Sequence, residues 1–202
     1  MTTIYFMRHS ETLKPENIIN NDSLQLQNEK WVLTEKGEII AKEKSNIKEL
    51  KDFDFVFSSN YARAIGTAKH FTNNNNVMIV ELFGERKFGI NNWKELPTDF
   101  GEKQFKDFDY KLEHGESINE VIQRETMALN EILNKCKNKK ILIVGHSTAL
   151  AALFSKWCKI EYSGPYKFND IEFFDGNWNY CETFKTIFDD DNNLISIENI
   201  KC

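Results

Sequence analysis

The chain has 202 residues, of which 41% are hydrophobic and 28% charged, the balance of one soluble globular domain with a full core. Its net charge of −5 argues against a general nucleic-acid binder, and no apolar run approaches the roughly 20 residues that a membrane helix needs. Four cysteines (Cys136, Cys158, Cys181 and Cys202) lack zinc-ligand or redox spacing, which reads as reduced thiols in a cytoplasmic protein.

The apolar run at 4–7 suits a buried first strand, and the residues before it have neither the basic patch nor the cleavage site of a signal peptide. Thr34 is placed to cap a helix running to about residue 50, with Ile39, Ile40, Ile47 and Leu50 as its apolar face; Gly37 in the first turn counts against that start. A second strand is expected at 53–57 and a helix at about 61–71. An asparagine-rich loop at 73–76 then leads to a third strand at 77–80. Ser117 and Glu120 have capping-box spacing, opening a long helix with Val121, Ile122, Leu129, Ile132 and Leu133 inward. Residues 140–144 form the clearest buried strand, and a helix is expected from 147 to about 157. β structure follows at 171–174, 180–188 and 194–200, with a turn at 189–193. Strands alternating with helices imply an α/β fold: three layers, doubly wound, a mainly parallel sheet with helices on both faces.

Ligands of such sheets bind beyond the carboxyl ends of the strands. There the first strand delivers Arg8, His9, Ser10 and Glu11; the second delivers Ser58, Ser59 and, a helical turn on, Arg63; the 140–144 strand delivers His146 and Ser147. Of the 26 basic residues only four are arginine: Arg8, Arg63, Arg86 and Arg124. A chain that uses lysine by default keeps arginine where a planar fork is needed, and gripping phosphate or carboxylate is the leading such task.

Six segments, in order, resemble the motifs of the histidine phosphatase superfamily, also called phosphoglycerate-mutase-like. Arg8-His9-Ser10-Glu11-Thr12 resembles the family's Arg-His-Gly-Glu-Thr signature, and Leu33-Thr34-Glu35-Lys36-Gly37 its Leu-Thr-x-x-Gly element. Ser58-Ser59-Asn60-Tyr61-Ala62-Arg63-Ala64 is similar to Ser-Ser-x-x-x-Arg-Ala; Glu85-Arg86-Lys87-Phe88-Gly89 with Trp93 is similar to Glu-x-x-Phe-Gly-x-Trp, with extra spacing before the tryptophan. Gly115-Glu116-Ser117 with Arg124, and Val144-Gly145-His146-Ser147, complete the set. The resemblance implies a phosphatase in which His9 attacks phosphorus, Arg8, Arg63 and a protonated His146 hold the equatorial oxygens, and Glu85 protonates the leaving group. Arg8, Ser10, Asn17, Arg63, Arg86 and Ser147 are the expected substrate contacts; no cofactor and no metal enter the scheme. The expected partner is a small phosphorylated metabolite rather than nucleic acid or membrane, and oligomeric state is left open.

Three positions depart from the pattern. Ser10 stands where the family has glycine, which fits without strain only at negative φ. Pro15 stands where the family often has asparagine, with Asn17 two residues on, and Ser147-Thr148 replaces a common Gly-Gly. Residues 90–116 are expected to form a lid that selects the substrate within a single domain spanning 1–202. The lid is rich in aromatics (Trp93, Phe100, Phe105, Phe108, Tyr110) and has no arginine to hold a second anionic group, so a phosphatase is favoured over a mutase-type phosphoryl transferase. The other readings are a non-catalytic phospho-ligand binder, which the intact set of His9, Arg63, Glu85 and His146 opposes, and a metal centre on His9, His146 and Glu85, which the flanking arginines oppose. Arg124 is expected to brace its own helix, His114 and Glu116 to order the preceding loop, and His70 to be structural.

Overall fold

Near-continuous burial along the first and fourth strands sets the architecture, and a computed structural model describes it for residues 1–14, 22–73 and 76–201. In chain order the elements are β1 (Thr2–Arg8), α1 (Leu24–Lys30), α2 (Glu35–Ser45), β2 (Phe55–Ser58), α3 (Ala62–Ala68) and β3 (Met78–Ile79). They continue with α4 (Phe100–Lys106), α5 (Ile118–Lys135), β4 (Lys140–Gly145), α6 (Ser147–Phe154), β5 (Lys159–Ile160), β6 (Tyr166–Phe168), β7 (Ile171–Phe174), β8 (Thr183–Phe188) and β9 (Leu194–Asn199). The main sheet has the order β3-β2-β4-β1-β8-β9; β3, β2, β4 and β1 run parallel, while β8 and β9 are added antiparallel at the edge.

Side chains of a strand alternate between faces, so β1 feeds two cores at once. Ile4 and Phe6 join Ile141 and Ile143 of β4, Leu129, Ile132 and Leu133 of α5, and Leu150, Leu153 and Phe154 of α6 on one face. Tyr5 and Met7 join Leu142, Val144, Ala41 of α2, and Ala64 and Ala68 of α3 on the other. Helices therefore cover both faces of a mainly parallel sheet, as the pattern of elements implied. Each large apolar side chain so buried contributes about 1.5–3 kcal/mol, and both faces of β1 and β4 are filled. A second sheet, β5-β6-β7, packs Tyr166 and Phe174 into the first of these cores against Phe184 of β8.

Thr34 caps α2 by accepting from Gly37 N, and Ser117 and Glu120 form the reciprocal capping box of α5. The helix expected to reach residue 50 stops at Ser45 and resumes as a 3-10 turn at Lys48–Leu50. Its inward face is Gly37 and Ala41, not Ile39, which is 51% exposed. Two other helices are also shorter than expected: α3 passes into a 3-10 turn at Lys69–Phe71, and α6 ends at Phe154. The strand expected from 180 begins at Thr183, because Cys181 turns the chain at φ 54. Helices α1 and α4 and strands β5 and β6 were not anticipated; all are short, and none carries a long periodic pattern. Among the described residues, no helix is long and apolar enough to cross a membrane.

Candidate active site

The parallel register aligns the carboxyl ends of three strands: Arg8 pairs with Gly145, and Ser58 with Val144. Two further ladder bonds carry the chain just past those ends, His9 N to Gly145 O at 3.0 Å and Ser59 N to Val144 O at 3.1 Å. The side chains of His9, Ser59 and His146 thus emerge together, with the two imidazole centroids 5.2 Å apart.

Arg63 enters from the first turn of α3 and divides its donors among three partners. Nε donates to His9 Nε2 at 3.1 Å, NH2 to His146 Nδ1 at 3.3 Å, and NH1 to the carbonyl of Asn28 at 2.6 Å. A guanidinium has only donors, so both imidazole nitrogens facing it accept. That assigns the tautomers: His9 carries its proton on Nδ1, donated to Ser10 O at 2.7 Å, and His146 carries its proton on Nε2, 2.9 Å from Ser59 Oγ. The guanidinium also stands where a metal bridging the two rings would have to sit.

Both histidines are buried, and burial is the main reason that each is held well below the ordinary histidine pKa; the Arg63 charge adds to it. With Arg63 donating to its Nδ1, the His146 ring is neutral here, unlike the protonated form expected to hold phosphate. A phosphate dianion beside Nδ1 would supply the negative charge that favours a proton there.

Arg8 lies at the rim, with NH1 donating to Trp178 O at 2.6 Å, its guanidinium over the Tyr180 ring and its buried Nε without a protein partner. Glu85 is half-buried; its Oε1 accepts from Arg86 N at 2.8 Å, and its charge acts on both Arg8 and Arg63. Ser147 opens α6, whose first intrahelical bond is Leu150 N to His146 O, so the Ser147 and Thr148 N–H groups stand at a helix N-terminus. Asn17 lies outside the described residues.

Two expected substrate contacts are engaged by the protein, although the buried Arg86 Nε has no partner in it. Ser10 donates from N to Thr67 Oγ1 and from Oγ to Gly37 O; it is fully buried, and it is not among the residues at positive φ, so serine is accommodated without backbone strain. Arg86 is buried between the rings of Phe88 and Phe100 and bonds Gln104 Oε1, which makes it a strut for the segment above the site.

Sequence reasoning passed over several supports. Tyr61 packs its ring 4.5 Å from that of His146, accepts from Gln25 and reaches Glu85 O with its hydroxyl. Thr67 links Ser10 N to Arg63 O. Gln104 joins Arg86 to the carbonyls of Tyr110 and Glu116. Tyr61 and Thr67 lie at the start of α3 and one turn beyond Arg63, the one signal that pointed to them; Gln104 had none. Arg124 reaches beyond its own helix, gripping Glu116 through Nε and NH2 and the Leu82 carbonyl through NH1; Glu116 in turn accepts from Lys87 N. His70 pairs with Glu38 of α2, away from the site.

The sheet order, the helices on both faces and a histidine from each of two adjacent strands define a phosphoglycerate-mutase-like α/β protein. Residues 4–178 match the family described as the histidine phosphatase superfamily (branch 1), and the chain belongs to that superfamily. No curated protein matches it. Among solved structures it is similar to a phosphoserine phosphatase variant from Entamoeba histolytica in complex with phosphoserine, at 20% identity and a TM-score of 0.66, covering 98% of this chain and 97% of that one. It is also similar to a mycobacterial glucosyl-3-phosphoglycerate phosphatase, at 16% identity and a TM-score of 0.68, covering 98% and 96%.

Proposed function

We propose that the protein hydrolyses small phosphomonoesters through a phosphohistidine on His9. The observation that carries this reading is the His9 ring itself: Nδ1–H is fixed by Ser10 O, and the Nε2 lone pair faces the Arg63 guanidinium, where an anion would be drawn. In the first step the Nε2–P bond forms and the P–O bond to the leaving alkoxide breaks, with Glu85 giving that oxygen a proton. In the second, water attacks phosphorus, the N–P bond breaks, and the Glu85 carboxylate takes the water proton. Arg8, Arg63 and the α6 N-terminus stabilise charge on the equatorial oxygens, which is most of what phosphoryl transfer requires.

Support for a phosphatase comes from the family and from the phosphatases among its structural neighbours. Residues 90–116 serve as the lid: Gly89, at φ 73, packs so closely on Gly115 that a Cβ would lie 2.2 Å from its nitrogen, pinning the two ends of the segment together. Buried unpaired Cys136, Cys158 and Cys181 favour a cytoplasmic setting. The test is hydrolysis of an aryl phosphate with chelator present, by wild type and by His9→Ala, together with acid quenching of the turning-over enzyme. Chelator-resistant turnover lost in the variant, and an acid-labile phosphate on His9, are expected. Phosphoglycerate interconversion primed by a bisphosphoglycerate would make it a mutase, and phosphate binding without turnover a binder.

A further inference from the structure

Beside the phosphate site lies a cavity of about 140 Å³ whose lining includes Phe105, Ser147, Glu161, Tyr162, Tyr166 and Trp178. Two of these residues connect it to the catalytic groups: Ser147 follows His146 in the chain, and the Trp178 carbonyl accepts from Arg8. Its aromatic walls come in two pairs. Phe105 of α4 and Tyr162 have ring centroids 5.9 Å apart, and Tyr166 and Trp178 have centroids 6.2 Å apart. Trp178 Nε1 donates to Tyr166 Oη at 3.1 Å, so the polar edges of that pair satisfy each other.

The lining carries one formal charge, the Glu161 carboxylate, and no lysine or arginine. Among the described residues Glu161 has neither an ion-pair nor a side-chain hydrogen-bond partner. An aromatic lining that carries a carboxylate and no lysine or arginine disfavours a second anionic group and attracts a cation, most strongly one that is broad and weakly hydrated.

We infer that this cavity receives the leaving group of the substrate and that the group is an alkylammonium: the enzyme acts on a phosphomonoester of an amino alcohol, with its cation against Tyr162, Trp178 and Glu161. The inference rests on the phosphatase reading and deepens it. The zwitterionic ester would place its phosphate among Arg8, Arg63 and the histidines and its positive end in the cavity, each end meeting the opposite charge.

The probe is a pair of isosteric esters: phosphocholine, and 3,3-dimethylbutyl phosphate, which has the same shape without the charge. Wild type is expected to show kcat/KM about tenfold higher for phosphocholine, with the ratio falling towards one in Glu161→Gln. His9-dependent hydrolysis of both esters at equal rates, or a preference for the neutral ester, would overturn the inference and leave the phosphatase reading intact. If neither ester nor an aryl phosphate is hydrolysed in a His9-dependent way, the phosphatase reading fails instead. Calorimetric titration of His9→Ala with the two esters then decides the cavity: tighter binding of phosphocholine supports it, and equal binding overturns it.

Discussion

Arg63 Nε donates to His9 Nε2 at 3.1 Å, so the residue proposed to grip phosphate also dictates which nitrogen of His9 carries the lone pair. The same guanidinium holds His146 and the Asn28 carbonyl. His9, His146 and Arg63 are therefore one hydrogen-bonded unit, and a change to Arg63 disturbs all of it.

Arg63→Lys tests that unity. An ammonium keeps the charge but is a single point, unable to reach three acceptors in a fixed fork. The substitution is expected to lower kcat about 10²–10³-fold, with the folded structure retained by circular dichroism. A lysine variant with near wild-type kcat would show that charge alone suffices.

Acid pH should act late on catalysis. In the proposed mechanism the nucleophile is the neutral imidazole, and burial followed by Arg63 holds the His9 pKa well below the ordinary histidine value. As pH falls through 6.5, kcat/KM corrected for substrate ionisation should stay level, its acid limb lying lower. Stability follows the same sign. His9 and His146 are depressed in the fold, so between their folded values and about 6.5 the unfolded chain binds more protons, and stability is lost as pH falls. An acid limb centred at 6.5 or above would contradict the buried, neutral assignment.

Gly37 shows where local sequence logic stops. Read along the chain it weakened the case for α2, because glycine is a poor helix former. In the fold, a Cβ at Gly37 would lie 2.2 Å from the Glu11 carbonyl oxygen, and the Gly37 carbonyl takes the Ser10 hydroxyl. Gly37→Ala is expected to cost about 1–3 kcal/mol through overpacking, despite a gain of about 1 kcal/mol in helix propensity. It should also lower kcat, since Ser10 and Glu11 directly follow His9, the proposed nucleophile. A rise in Tm with unchanged kcat would refute the close approach.

The same contrast runs through the molecule. The strands and the histidines at their carboxyl ends were legible because short continuous apolar runs, caps and motif spacing are local signals. The protein contacts of Arg86 were not legible because Phe100 and Gln104 come from α4, a short helix with no strong pattern of its own. Tyr180 was assigned to a strand because nothing in its neighbours announces the positive φ of Cys181.

Glu125 is fully buried on α5, with neither carboxylate oxygen hydrogen-bonded in the protein and Arg124 NH1 4.0 Å away. Burial pushes its pKa up to about 8. The folded state holds a proton that the unfolded chain releases above about pH 4.5, so this group's contribution to stability falls as pH rises from there to about 8. Glu125→Met removes that loss and is expected to stabilise the protein by about 1–3 kcal/mol at pH 8, raising Tm by about 2–10 °C, with a smaller gain at pH 5. A destabilised variant, or a gain independent of pH, would show that the carboxyl has a partner.

Glu85→Gln separates proton transfer from phosphate binding. A nitrophenolate leaves without help, whereas an alkoxide needs the proton that the proposed mechanism assigns to Glu85. Glutamine keeps the shape and can still accept from Arg86 N, where Glu85 Oε1 now sits at 2.8 Å. The variant should therefore lose about 10²–10⁴-fold in kcat on an alkyl phosphate and far less in the phosphorylation step on nitrophenyl phosphate. Burst kinetics read that step apart from the hydrolysis of phospho-His9, which also calls on Glu85 as a base. Equal losses on both leaving groups in the burst phase would mean that Glu85 acts by its charge on Arg8 and Arg63 rather than as the acid.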